Sequence, residues 1–253
     1  MISTRDDIAT LTENGTVATL TIGTGARFNA LGIDGWRELE LAARSLADRP
    51  GLRAVVVRGY GAVFCAGNDL REWEAASAEE VSQSFAAIEA ALQAVENLPV
   101  PTVAVVEGVA TGGGCQLALS CDLQLVSSTA RLGMPIARLG ILAPASFANR
   151  LSLRVGPSHA KALLFDTHLL TAERAERLGL VTTLVAEHDI DTELAALLAS
   201  WGAVSAASLR AAKAAVNLGL RPVAQPARQA PMGLASDPEE FSQRVSSFLH
   251  HTS

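Results

Sequence analysis

The segment TGGGCQLALSCDL, Thr111 to Leu123, decides how the chain is read. Its glycines, Gly112 to Gly114, open an apolar run that continues as a helix over 113–119. Strand-like runs flank it: TVAVVEG at 102–108 and DLQLVSS at 122–128. Strand, glycine turn, helix and strand in that order read as a βαβ unit with parallel strands and a right-handed crossover. A glycine just after a strand lets a ligand approach the backbone, because no Cβ stands in the way. A helix opened there also presents N–H groups without internal partners, and its dipole favours negative charge at that end.

Working outward, RAVVVRG at 53–59 is a further buried strand, so strands and helices alternate from residue 53 onward. Ile8–Thr12 and Val17–Ile22 alternate in polarity around Glu13, Asn14 and Gly15, and an Asn-Gly pair in that place signals a hairpin. Ile33, Trp36, Leu39, Ala43 and Leu46 lie on one face of a helix over 33–48, which RPG at 49–51 stops. Ser77 with Glu80 forms a capping-box pattern ahead of the stripe Val81, Phe85, Ile88, Leu92 and Val95. From Ser146 the pattern is mostly helical, at 146–154, 158–166, 172–178, 191–201, 208–218 and 238–250, with one short strand near 181–185. The proline-rich RPVAQPARQAP at 221–231 is expected to form a bent connection or hinge between the late helices.

The 253 residues are 49% hydrophobic and 18% charged, which suits a folded α/β chain and excludes disorder. A net charge of −6 without a basic stripe argues against nucleic acid as a partner. No apolar run reaches membrane-spanning length, and MISTRDDIATL carries acids where a secretory signal needs basic and then apolar residues, so no membrane partner and a cytoplasmic location are expected. Cys65, Cys115 and Cys121 lack zinc spacing and are expected to be reduced, buried thiols. The histidines, at 159, 168, 188, 250 and 251, show no ligand spacing either, so no metal site is expected.

A second glycine-bearing turn, VFCAGNDL at 63–70, also follows a strand. Two backbone amides converging from these turns on one oxygen would form an oxyanion hole. Glycine in such places can also serve only to permit a tight bend. Nucleotide-binding readings fail, since Phe64 of GYGAVF stands where a dinucleotide fingerprint needs its third glycine, and no GxxxxGK[ST] occurs. GPSHA at 156–160 lacks the closing glycine of a nucleophile elbow.

Taken with RFNAL (27–31), FCAGNDL (64–70), GGGCQLALSCDL (112–123), LGMPIARLGI (132–141), LTAERAERLGLV (170–181) and DPEEFSQRVSSFL (237–249), the chain resembles the crotonase, or enoyl-CoA hydratase/isomerase, superfamily along nearly its whole length. The resemblance implies an α/β fold, a spiral of βαβ units over 1–195 followed by a helical trimerisation region over 196–253. It implies an acyl-CoA thioester as substrate or ligand, no other cofactor, and a homotrimer or dimer of trimers. The oxyanion donors map to the backbone N–H groups of Asn68 and Gly113. Asn68, Asp69, Leu70 and Arg71 match the CoA-contacting loop, Arg27 is placed to reach a CoA phosphate, and Phe248 matches an aromatic that packs near the adenine of a neighbouring subunit's CoA. The basic residues that usually follow that aromatic are replaced here by LHHTS.

The resemblance breaks at its proton carriers. The two glutamates that hydratases use fall at Gln116 and Ile136, and a third family position falls at Ala143 or Pro144. An amide orients water but exchanges no useful proton near neutral pH, and isoleucine does neither. Remaining nearby are Asp69, Glu72, Glu74, Glu107 and Asp122, with Cys65 and Cys115; of these, Glu72 and Glu74 are better placed than the others to enter an acyl pocket, although a solvated surface position is the favoured reading of both, and Asp69 and Asp122 are expected to brace loops. Two functions follow, beside the plainer reading of a structural assembly subunit whose glycines only shape turns. One is an enzyme of lyase or isomerase type, decarboxylation included, that relies on enolate stabilisation. The other is an acyl-CoA-binding protein without catalysis.

Overall fold

The computed structural model describes residues 9–74, 76–229 and 238–251. It opens with β1 (Ala9–Asn14) and β2 (Val17–Ile22), then α1 (Ile33–Ala47), β3 (Ala54–Gly59), α2 (Ala78–Glu96) and β4 (Thr102–Val106). There follow β5 (Val109–Thr111), α3 (Gly113–Ser120), β6 (Leu123–Ser127), β7 (Arg131–Gly133), α4 (Ala145–Phe165) and β8 (Leu170–Thr171). The chain continues through α5 (Ala172–Arg177), β9 (Thr183–Val185), α6 (Ile190–Gly202), α7 (Ala206–Gln229) and α8 (Pro238–His251).

The main sheet runs β1-β2-β3-β4-β6-β9, antiparallel only at the first hairpin. In that hairpin Asn14 pairs with Val17, so the turn residues are Gly15 and Thr16, one step beyond the Asn-Gly pair, and Gly15 takes φ 61°. β3 and β4 read as apolar runs because both their faces are covered. Val55 and Val57 face the core shared with α1 and α2, while Val56, Val103 and Val105 face Ile190 and Leu194 of α6. The capping box at Ser77 is present in both directions, with Glu80 N–H donating to Ser77 Oγ and Ser77 N–H to Glu80 Oε2.

The second sheet, β5-β7-β8, escapes the sequence pattern because its strands hold three, three and two residues, too few to show a period. It matters for function: β7 lies beside β5 and carries the chain from residue 133 back over the start of α3.

The proline-rich stretch corrects an expectation. α7 runs unbroken to Gln229 with Pro222 and Pro226 inside it, so 221–229 is helix and not a hinge; residues 230 and 231 lie outside the described residues. No residue of α7 is buried, so water can take up the carbonyls that the prolines leave without a donor. The helix is held by side chains instead: Lys213 Nζ to Asp122 Oδ2 at 2.8 Å, Arg210 to the Leu52 carbonyl at 2.9 Å, and Arg228 to Glu96. The helices expected at 146–154 and 158–166 form one element, α4, bent where Gly156 takes φ 75° ahead of Pro157.

Candidate functional site

The site lies where parallel α/β sheets usually place theirs, at the carboxyl ends of the strands. From the end of β3 the chain reaches Cys65, whose N–H donates to the Val109 carbonyl while its own carbonyl accepts from Thr111 N–H. Two residues on it turns to Leu31, which donates to the Gly67 carbonyl at 2.8 Å and accepts from Asp69 N–H at 2.8 Å. A trans peptide sets each N–H opposite the carbonyl before it, so Asn68 N–H points away from Leu31. It has no protein acceptor among the described residues.

The second turn abuts the first. Gly112, at φ 54° and ψ −121°, donates to the Gly133 carbonyl at 3.0 Å, and α3 begins at the next residue. Gly113 N–H belongs to the first turn of α3 and also lacks an acceptor among the described residues. Gly67 sits at φ 93°, and a Cβ there would stand 2.7 Å from the Thr111 carbonyl oxygen and 3.0 Å from Gly113 N. Glycine is required at 67 both by its backbone angle and by this close approach.

Trp36 ties the two turns together. Fully buried on α1, it donates from Nε1 to Asn68 Oδ1 at 3.0 Å, and its ring lies 2.9 Å from where a Cβ of Gly113 would be. In the sequence Trp36 is one more apolar residue of a helical stripe; nothing there marks its contact with both turns.

Gln116 lies one turn into α3, three residues after Gly113 and on the same face. It is wholly buried and engaged at both ends. Arg150 Nη1 donates to its Oε1 at 2.9 Å, and its Nε2 faces Met134 Sδ at 3.5 Å and the Phe147 carbonyl at 3.4 Å. Arg150, itself buried, also binds Glu96 at 2.6 Å and Glu89 at 3.2 Å, and Glu89 accepts from Ser146 and Gln93 as well. Burial alone would push the Arg150 guanidinium down, but Glu96 and Glu89 hold it above its ordinary value. Ile136 is buried in the 3-10 turn Pro135–Leu139, two residues from Met134. The positions that the resemblance assigns to proton carriers therefore hold an amide locked into an ionic network and a hydrocarbon.

The other carboxylates are occupied too. Glu72 is exposed, as the favoured reading has it, and its Oε2 accepts from Ile33 N–H at 2.9 Å and caps α1. Glu74 pairs with His250 of α8 at 2.9 Å, and Glu107 pairs with Arg58 at 3.1 Å. Asp122 accepts from Thr102 N–H and Oγ1 and from Lys213, the bracing role expected of it. Asp69 braces as well, accepting from Arg71 N–H at 3.2 Å and pairing with Arg27 Nε at 3.1 Å. Arg27 remains half-exposed and Arg71 exposed, while Leu70 is half-buried. Phe248 lies in its own chain beneath Arg138, whose guanidinium carbon is 5.1 Å from the ring centroid. Arg27, Phe28 and Asn29 take left-handed angles, φ 48°, 55° and 58°. Buried Asn29 holds this bend through Gly25 N–H and the carbonyls of Tyr60 and Val63.

Burial pushes all three thiols up, each from 9.0 to about 12, and Cys65 Sγ is enclosed by the Asn29 carbonyl and Gly67 N–H. Ellman's reagent at pH 8 is expected to leave the native protein unmodified and to count three thiols in denaturant. Rapid modification of the native protein would contradict this packing. Because the folded thiols ionise above the unfolded ones, their contribution to stability is present below pH ~9 and is lost as pH rises toward 12. The groove lined by Arg49, Pro50, Leu52, Val100 and Arg210 lies at the opposite, amino-terminal ends of β3 and β4 and is no part of this site.

The parallel sheet, the small second sheet and the glycine-opened α3 define the crotonase class of α/β folds. The enoyl-CoA hydratase/isomerase family profile matches residues 12–248, and the chain belongs to that family. It is 35% identical over 202 residues to a probable enoyl-CoA hydratase of Mycobacterium bovis, covering 79% of this chain and 77% of the relative. Against a crotonyl-CoA hydratase of Syntrophomonas wolfei the identity is 32% over 206 residues, covering 81% and 79%. A crystal structure of an enoyl-CoA hydratase/carnithine racemase from Magnetospirillum magneticum superposes with a TM-score of 0.82 at 25% identity, covering 97% of this chain and 93% of that one.

Proposed function

We propose that the protein processes an acyl-CoA thioester by stabilising its enolate with the N–H groups of Asn68 and Gly113, without the two-carboxylate route of hydration. The observation that carries this reading is the pair of unpartnered amides on abutting turns, beside a Gln116 already committed to Arg150. Negative charge gathers on the thioester oxygen as an enolate forms, and donors already aimed at that oxygen lower the barrier without reorganising.

Decarboxylation of a malonyl-type thioester suits such a site. The bond to the carboxylate breaks, its electron pair enters the enolate, CO₂ leaves, and a solvent proton then reaches the α-carbon; no side chain has to act as base. The reading extends to a cytoplasmic homotrimer or dimer of trimers. α7 supports assembly, since it exposes Val216, Leu218, Leu220 and Val223 along a helix with no buried residue.

The test follows malonyl-CoA and crotonyl-CoA by mass spectrometry. Acetyl-CoA formed from the first, with no hydration of the second, is expected. Hydration of crotonyl-CoA at a rate typical of enzymes would overturn the proposal. A second reading, binding without turnover, is favoured by the double engagement of Gln116, and a CoA-ester titration showing tight binding without product would select it.

A further inference from the structure

Two buried hydrogen-bond donors lie on one segment beside the glycine turns. Asn68 Nδ2 and Trp73 Nε1 are shielded from solvent and have no acceptor among the described residues. Arg53 Nε shares that condition, but its guanidinium is already held by the Trp201 and Val204 carbonyls through Nη2. The indole of Trp73 has only one polar atom, and that atom is unmatched.

Neither donor can be relieved by a local rearrangement. Trp36 Nε1 only donates, so the Asn68 oxygen must face it and the amide nitrogen must face away. Turning the amide over would set two donors against each other. Trp73 is 3% exposed, its ring stacked on Phe85 at 5.2 Å between centroids and tilted against Phe241 at 5.8 Å. The short 3-10 turn Leu70–Trp73 joins the two donors, capped by Asp69 and held to α1 through Glu72.

Buried donors in native proteins are nearly always paired, and an unpaired one calls for a specific reason. Here the reason is positional, because Asn68 is the residue whose backbone N–H is assigned to the thioester oxygen. We infer that Asn68 Nδ2 and Trp73 Nε1 bind an oxygen acceptor on the acyl group close to the thioester, so that the site selects oxygenated acyl-CoA esters (keto, hydroxy or carboxy) over plain hydrocarbon ones. This rests on the acyl-CoA reading above and narrows its substrate class. A site built around hydrogen-bond donors discriminates strongly against a ligand lacking the acceptor, since the donors then stay unpaired.

Calorimetric titration of the full chain with acetoacetyl-CoA, 3-hydroxybutyryl-CoA and butyryl-CoA tests the inference. The oxygenated esters are expected to bind at least ~10-fold more tightly than butyryl-CoA. Trp73→Phe removes the donor and keeps one aromatic ring against Phe85 and Phe241, at the cost of some packing volume; Asn68→Asp keeps an oxygen for Trp36 and replaces the donor with an acceptor. Trp73→Phe is expected to bring the affinity ratio toward one, and Asn68→Asp to invert it. Equal affinities in the wild type, or a preference that survives both substitutions, would overturn the inference while leaving the acyl-CoA reading intact. Failure of every ester to bind, with free CoA also silent, would overturn that reading and this one with it.

Discussion

Gly67→Ala is expected to cut turnover of any acyl-CoA substrate by about 100-fold or more, the scale set by loss of one good oxyanion donor. The added methyl would lie 2.7 Å from the Thr111 carbonyl oxygen and 3.0 Å from Gly113 N, both backbone atoms that can yield only if the turns separate. Separation moves Asn68 N–H relative to Gly113 N–H, and their shared aim at one oxygen is the basis of the proposed chemistry. The substitution also forces alanine to φ 93°, a strain that lowers stability whatever the surroundings. Gly51→Ala separates the two causes. Gly51 has a similar φ, 77°, but no atom within 4 Å of its would-be Cβ, and it lies at the other end of the strands. It is expected to lose stability and keep activity, whereas Gly67→Ala loses activity under conditions where circular dichroism shows both variants folded. Gly67→Ala turning over within a few-fold of wild type would remove the two-amide site from consideration.

Legibility in the sequence follows the distance over which each feature is encoded. The capping box of Ser77 and Glu80 is a three-residue relation, and it forms in both directions. α1, α2 and the buried strands β3 and β4 are legible because one face, or both, must be apolar over many residues. The two glycine turns are legible as turns, and their mutual approach is legible only through the family resemblance. The state of Gln116 is not legible at all. Its partners, Arg150 and through it Glu89 and Glu96, are 34, 27 and 20 residues away along the chain, on other helices, where each reads as an ordinary charged residue of an amphipathic helix. Trp36 shares this problem, because an aromatic residue in an apolar stripe predicts burial but not the fate of its N–H, and Trp73, flanked by Glu72 and Glu74, carries no signal of burial at all. The proline-rich end of α7 misleads for a related reason. Proline in a helix removes one donor and crowds the carbonyl four residues back, a cost that falls where that carbonyl can turn to water, and exposure of α7 is a property of the fold, not of the local sequence.

Arg150→Met should lower the melting temperature by on the order of 10 °C. Removing one partner from a buried ion pair costs about 3–5 kcal/mol, and a chain of this size loses about 2–4 °C per kcal/mol. The substitution strands buried Glu89, leaves Glu96 with Arg228 of α7 as its remaining cation, and leaves Gln116 Oε1 without its donor. Adding Glu89→Gln to Arg150→Met should recover part of the loss, as coupled sites do in a double-mutant cycle. A single variant melting within a degree of wild type would mean that this network does not hold α2, α3 and α4 together. The network also bears on the chemistry. A glutamate introduced at 116 would meet Arg150 at 2.9 Å and join its ion pairs, so Gln116→Glu alone should fold and still fail to hydrate crotonyl-CoA. Hydration would require both the release of that carboxylate from Arg150 and a second proton carrier where Ile136 stands.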